Sequence, residues 1–200
     1  MAINLANNNS LANITALPSS ISGGAMTLLA TQTASGSANL SFTSGIDDTY
    51  DSYVFKFYDI HPATDSVNFQ VNFRDGGSAY DAVKTTTYFR AYHDEADSAA
   101  ALGYDTSADL AQSTGVQILN QTVGNDNDQC CVGTLHLYNP SSTVFVKHFI
   151  FRGNRAQAAN YTVDDYVAGY CNVTAAIDGV QFTMSSGNID SGVIKLYGVS

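Results

Sequence analysis

The sequence predicts an all-β fold: an antiparallel β-sandwich, jelly-roll-like, preceded by an extended N-terminal arm. Period-two alternation is the first observation behind this. Val67, Phe69, Val71 and Phe73 alternate with Asn68, Gln70 and Asn72, and Val180, Phe182 and Met184 alternate with Gln181 and Thr183; such runs put one apolar and one polar face on an extended chain. The second is the recurrence of strand-like segments at short intervals, with turn residues between them, as in sandwiches and barrels. The third is composition. Only 13% of residues are charged, about half the usual ~25%, while Ser, Thr, Asn, Gly and Tyr abound, so neutral polar groups must solvate the surface.

Residues 1–24 stand apart. They carry no charged side chain, and Ile3, Leu5, Leu11, Ile14, Leu17 and Ile21 are too sparse to build a core of their own. The expectation is an anchoring arm that packs on a neighbouring copy of the chain, with a short helix over 11–21 capped by Ser10 and ended by Pro18. From Ala25 onward, strands are expected over 26–34, 38–43, 52–60, 66–74, 84–92, 115–123, 132–138, 143–152, 166–173, 178–184 and 193–199. Asp75-Gly76-Gly77-Ser78 and Asn139-Pro140-Ser141-Ser142 read as turns. The irregular section 93–113, with at most one helical turn at Ala99–Leu102, is expected to cross one end of the sandwich as a long loop. The last two strands are expected to form a closing hairpin through Ser185–Gly192, which pins the C-terminus into a sheet.

Two hundred residues with 44% hydrophobic content suffice for one large domain, 25–200, whose core needs neither disulfide nor metal. Eight Lys and Arg against eighteen Asp and Glu give a formal charge of −10, and the basic residues are scattered singly. A nucleic-acid partner, which would require clustered cations to displace counterions, is not expected. No apolar run approaches the ~20 residues that cross a bilayer, and the N-terminus lacks the pattern of a secretory signal. Membrane insertion is therefore not expected, and synthesis in the cytosol is. Cys130, Cys131 and Cys171 make an odd set with one adjacent pair, which reads as reduced thiols.

Candidate chemistry is sparse. Gly124-Asn125-Asp126-Asn127-Asp128-Gln129 is oxygen-rich, and Asp126 and Asp128 could hold a hard cation. It lacks the glycine and distant glutamate of an EF-hand, so a solvated hairpin tip is the favoured reading. Asp47, Asp48 and Asp51 read as turn formers ahead of a strand. His93-Asp94-Glu95 with Asp97 could make an acid/base pair, but no second histidine sits at ligand spacing. The nucleophile elbow, the P-loop and the dinucleotide fingerprint are absent. No enzyme and no cofactor is expected. Tyrosine is the one abundant residue type suited to recognition, with an apolar body and a polar tip. Tyr92, His93 and Tyr104 are accordingly the candidate partner-binding residues.

Spaced pieces across 25–199 carry a resemblance: Leu28-Leu29-Ala30-Thr31-Gln32-Thr33-Ala34-Ser35, Ser41-Phe42-Thr43-Ser44-Gly45-Ile46-Asp47 with Tyr50 and Tyr53, Asn139-Pro140-Ser141-Ser142, Ala176-Ile177-Asp178-Gly179-Val180, Ser185-Ser186-Gly187-Asn188-Ile189 and Ile194-Lys195-Leu196-Tyr197-Gly198. These pieces resemble a family of bacteriophage virion proteins common in phages of marine cyanobacteria and other marine bacteria. The resemblance implies a β-sandwich module of a tail fibre, baseplate or head surface, located in the virion, with a homotrimer as the usual state. It implies other virion proteins as partners and a host surface glycan or protein as a possible receptor. It leaves open a short tail-fibre or adhesion component, a capsid decoration protein bridging capsid subunits and, more distantly, a carbohydrate-active depolymerase. The long shaft of a fibre, coiled-coil or collagen-like, has no counterpart here.

Overall fold

In the segment Lys147–Gln157 the residues Phe149, Phe151, Gly153 and Arg155 point inward, and His148, Ile150, Arg152 and Asn154 point to solvent. That alternation, set by the two-residue period of extended backbone, is repeated through the chain. The computed structural model describes residues 25–200, and they form twelve strands: β1 (Thr27–Thr33), β2 (Leu40–Phe42), β3 (Ser52–Pro62), β4 (Val67–Arg74), β5 (Lys84–Asp94), β6 (Ala100–Tyr104), β7 (Gln117–Val123), β8 (Cys131–Tyr138), β9 (Lys147–Gln157), β10 (Tyr161–Cys171), β11 (Gly179–Met184) and β12 (Ile189–Val199). The expected arm, its helix over 11–21 and the residues Leu5, Leu11, Ile14, Leu17 and Ile21 lie outside the described residues.

All pairings are antiparallel. One layer runs β1-β12-β3-β8-β9-β10-β5-β6, and the other runs β2-β11-β4-β7. A single pair, Val123↔Gln157, links β7 to β9 and joins the layers at one edge. Taken alone, β1-β12-β3-β8 facing β2-β11-β4-β7 interleaves the first and last strands of the chain in the manner of an eight-stranded double-sheet jelly roll. The strands β5, β6, β9 and β10 are additions that widen the larger layer past β8. The fold is thus an all-β antiparallel sandwich, jelly-roll-like as the sequence predicts.

Several local expectations need correction. Residues 93–113 do not form one long loop: β5 continues to Asp94, a turn follows, and Ala100–Tyr104 returns as β6 beside it. Asp94 fixes this turn, because its carboxylate accepts the N–H groups of Ser98 and Ala99. The strands expected over 143–152 and 166–173 are present with shifted bounds, as β9 and β10, and form one long hairpin whose arms pair from Lys147↔Cys171 to Gln157↔Tyr161. The closing hairpin does not form either. β11 pairs with β2 and β4, while β12 pairs with β1 and β3. Each of those two strands has a fully apolar face, and placing them in opposite layers buries Val180 and Phe182 against the same core as Ile194 and Leu196.

That core is aromatic. Phe182 meets Phe55 and Phe57 edge-on at centroid distances of 5.3 and 5.0 Å and stacks on Phe69 at 5.8 Å. Edge-to-face pairs of this kind add about 0.5–1.5 kcal/mol each beyond area burial. Gly133 and Gly153 sit opposite one another on β8 and β9, and a Cβ on Gly153 would come within 2.3 Å of the Phe151 ring. The ring occupies the space that side chains would need. Tyr53 is fully buried, yet its hydroxyl accepts from Asp47 N–H at 3.0 Å and its proton is shared between the Asp47 carbonyl at 3.0 Å and carboxylate at 3.1 Å. This ties the turn before β3 to the strand.

A candidate contact surface on the outer face of the larger sheet

The register fixes which side chains share the outer face. Tyr166 of β10 lies between Phe89 of β5 and Arg152 of β9, and Phe89 in turn faces Tyr104 of β6. Phe89 and Tyr166 stack at 4.7 Å with planes 4° apart. The Arg152 guanidinium sits 5.0 Å from the Tyr166 ring and bonds the Asp164 carboxylate at 2.8 Å; the Tyr166 hydroxyl donates to that carboxylate at 3.0 Å. This carboxylate holds the Tyr166 hydroxyl proton, raising its pKa, and it raises that of Arg152 as well. On the next strands Lys56 lies over Tyr197 and Lys195 over Tyr58, contacts worth about 0.5–1 kcal/mol at exposed sites. The outward residues of β3, β8, β9 and β12 include the basic or imidazole groups Lys56, Lys195, Arg152, His136 and His148. Burial, then Lys56, lowers the His136 pKa.

Between the Tyr166 row and the Tyr170 row, β10 carries only Ala168. The result is a trough of about 370 Å³ walled by Thr85, Thr87, His148, Ile150 and Tyr170. Tyr170 and His148 lean on each other at 5.8 Å, and Ile150 is 49% exposed beside them. Six of the chain's twelve tyrosines (Tyr58, Tyr104, Tyr138, Tyr166, Tyr170 and Tyr197) occupy outward positions of this one layer. Aromatic faces, hydroxyls and a few fixed cations suit it to gripping a partner.

The expected contact residues are only partly brought together. Tyr104 and His93 share the outer face, at opposite ends of the β5–β6 pairing. Tyr104 donates to Asp109 at 2.6 Å, which raises its pKa, and His93 Nε2 lies 3.2 Å from Asp97. Tyr92 points the other way, half-buried edge-on to Tyr161 at 5.5 Å. Asp126 and Asp128 are exposed on the connection between β7 and β8. That tip is organised by buried Gln129, whose Oε1 accepts from Asp126 N–H and whose N–H donates to the Asp126 carbonyl. Among the described residues no three His, Cys, Asp or Glu gather as a metal-ion site.

Sequence reasoning missed Phe89, Arg152, Asp164, Tyr166, His148 and Tyr170. The signal was the alternation His148-Ile150-Arg152-Asn154, hidden because Phe149, Phe151 and Arg155 are as large as their outward neighbours. Behind this face lies a buried polar cluster. Arg155 and Asp165, both with side chains at 0% exposure, pair at 2.8 Å. Asp165 also accepts from Tyr88 and Asn120, and Arg155 donates to Thr122. Burial, then Asp165, raises the Tyr88 pKa. The cluster fastens β7 to the added strands. At the other end, Lys84 and Lys147 flank Cys171 across the register. Burial pushes Lys84 down to about 8 and Cys171 up to about 12. All three cysteines are free thiols.

Compared with known proteins, the chain matches no family model, no curated protein and no solved structure.

Proposed function

We propose that this protein is a structural component of a bacteriophage virion exterior that works by contact and assembly, in the manner of a short tail-fibre or adhesion component anchored through residues 1–24. The observation that carries the reading is the outer face: six tyrosines, Phe89 and fixed cations held in register on a rigid sheet. Rigid aromatic side chains give contact area at low entropic cost. The jelly-roll layering and the resemblance of the turn and strand-end residues support the virion setting. Partners are then further copies of the chain, neighbouring virion proteins, and a receptor on the host surface.

A capsid decoration role is the second reading, favoured by Val144 and Phe145. Both are 69% exposed, and both N–H groups are held by the Ser142 hydroxyl oxygen, so an apolar knob is presented ready to be covered. Quantitative mass spectrometry of purified particles separates the readings. Tens of copies or fewer support the fibre-type role and hundreds support decoration. Absence from the particle sinks both.

A further inference from the structure

We infer that β6 is a self-pairing edge, through which two copies of this chain join across a two-fold axis at Leu102 into one continuous sheet. β6 ends the larger layer, and all five of its residues are exposed. Asp94 N–H donates to the Ala99 carbonyl, and Asp105 N–H donates to the Tyr88 carbonyl. Residues 99 and 105 therefore face β5. By the alternation of antiparallel ladders, so do 101 and 103, which turns the N–H and C=O groups of Ala100, Leu102 and Tyr104 to the free edge. Three donors and three acceptors are left in a row without a strand among the described residues.

Native proteins guard such edges with charge, proline, a bulge or a cover. The opposite edge, β1, has a register break between Leu28 and Ala30, and β2 is three residues long. Among the described residues β6 has none of these guards. Ala99-Ala100-Ala101-Leu102-Gly103-Tyr104 is uncharged in a chain of net charge −10, and it pairs with β5 without a register break.

A second copy fits this edge in one register. With Leu102 opposite Leu102 of the partner subunit, Ala100 faces Tyr104 and Tyr104 faces Ala100 across the seam, and all six outward backbone groups pair. Charges agree with it: Asp105 comes opposite Ala99, and no carboxylate faces another along the strand. Leu102, 71% exposed, and Tyr104, 53% exposed, share the outer face with Phe89 and Ala91, so pairing covers them with their own counterparts and makes the two aromatic faces continuous. A five-residue seam lies below the ~1,200 Å² of standard interfaces, so the association is concentration-dependent. The inference is independent of the virion reading, since it concerns the isolated protein.

The test is analytical ultracentrifugation of the full chain over about a hundredfold concentration range around a micromolar Kd. The expected result is a monomer–dimer equilibrium. Leu102→Lys should weaken it at least about tenfold, and an equimolar mixture of Leu102→Lys with Leu102→Asp should regain it. Hydrogen exchange gives a second reading that needs no variant: the amides of Ala100, Leu102 and Tyr104 should slow with concentration while those of Ala101 and Gly103 do not. A monomer throughout the range, a trimer, or a dimer indifferent to Leu102→Lys overturns the inference.

Discussion

Lys84 is a cation held where water cannot reach it, bonded to the Asn72 side-chain oxygen and the Ala82 carbonyl. Burial lowers its folded pKa to about 8 from 10.5, so below pH 8 the folded state carries a charge that the unfolded state solvates better. As pH rises from 8 towards 10.5 the folded protein sheds this proton first, and stability rises by up to about 1.4 kcal/mol per unit. Cys171 works in the opposite sense above pH 9, because its folded pKa is raised to about 12. The clean window is therefore pH 8 to 9. Denaturant midpoints should climb there in the wild type relative to Lys84→Met; parallel curves would mean the lysine titrates as if in water. Asp165 is a second such residue. Asp165→Ala leaves Arg155 charged, buried and unpaired, so a loss of about 3–5 kcal/mol in urea unfolding is expected. A loss below about 1 kcal/mol would show that water reaches the guanidinium.

At the scale of strands, what was legible depended on contrast between faces. β4 and β11 are plain in the sequence because Val and Phe alternate with Asn, Gln and Thr. β9 and β10 are not, because their outward residues, Ile150, Tyr166 and Tyr170, are as large as the inward ones, and Lys147, Arg155 and Asp165 are buried where charge signals exposure. β6 was masked by alanines that suit a helix; only pairing with β5 decides their state. The candidate surface followed suit: Tyr104 and His93 were found, while its centre lay on strands whose faces could not be told apart. The facing glycines of β8 and β9 give this scale its own test. Gly153→Val thrusts branches into the Phe151 ring and the Val132 carbonyl, the latter 2.8 Å from an added Cβ, so a destabilisation of about 1–3 kcal/mol is expected from overpacking. Gly103→Val, where nothing lies within 4 Å of an added Cβ, should change stability by about 0.5 kcal/mol or less. Equal effects at the two sites would remove the ring-over-glycine account.

For the whole molecule, the question is whether the sandwich needs residues 1–24 to stand. The twelve strands and the aromatic core described within 25–200 pack on one another, and β1, the first of these strands, is a sheet edge whose only partner among the described residues is β12. An edge strand contributes one ladder and one flank of contacts, so the layers, their register and the Phe182 cluster are expected to survive the loss of what precedes it. Deletion of residues 2–24 should then give a folded protein whose melting temperature lies within about 4 °C of the full chain, the shift that ~1 kcal/mol produces at this size. The same deletion should abolish incorporation into particles if those residues anchor the protein. Stability and incorporation thus part company in one variant. A collapse of the melting transition would make the leader part of the fold, and normal incorporation would end its role as an anchor.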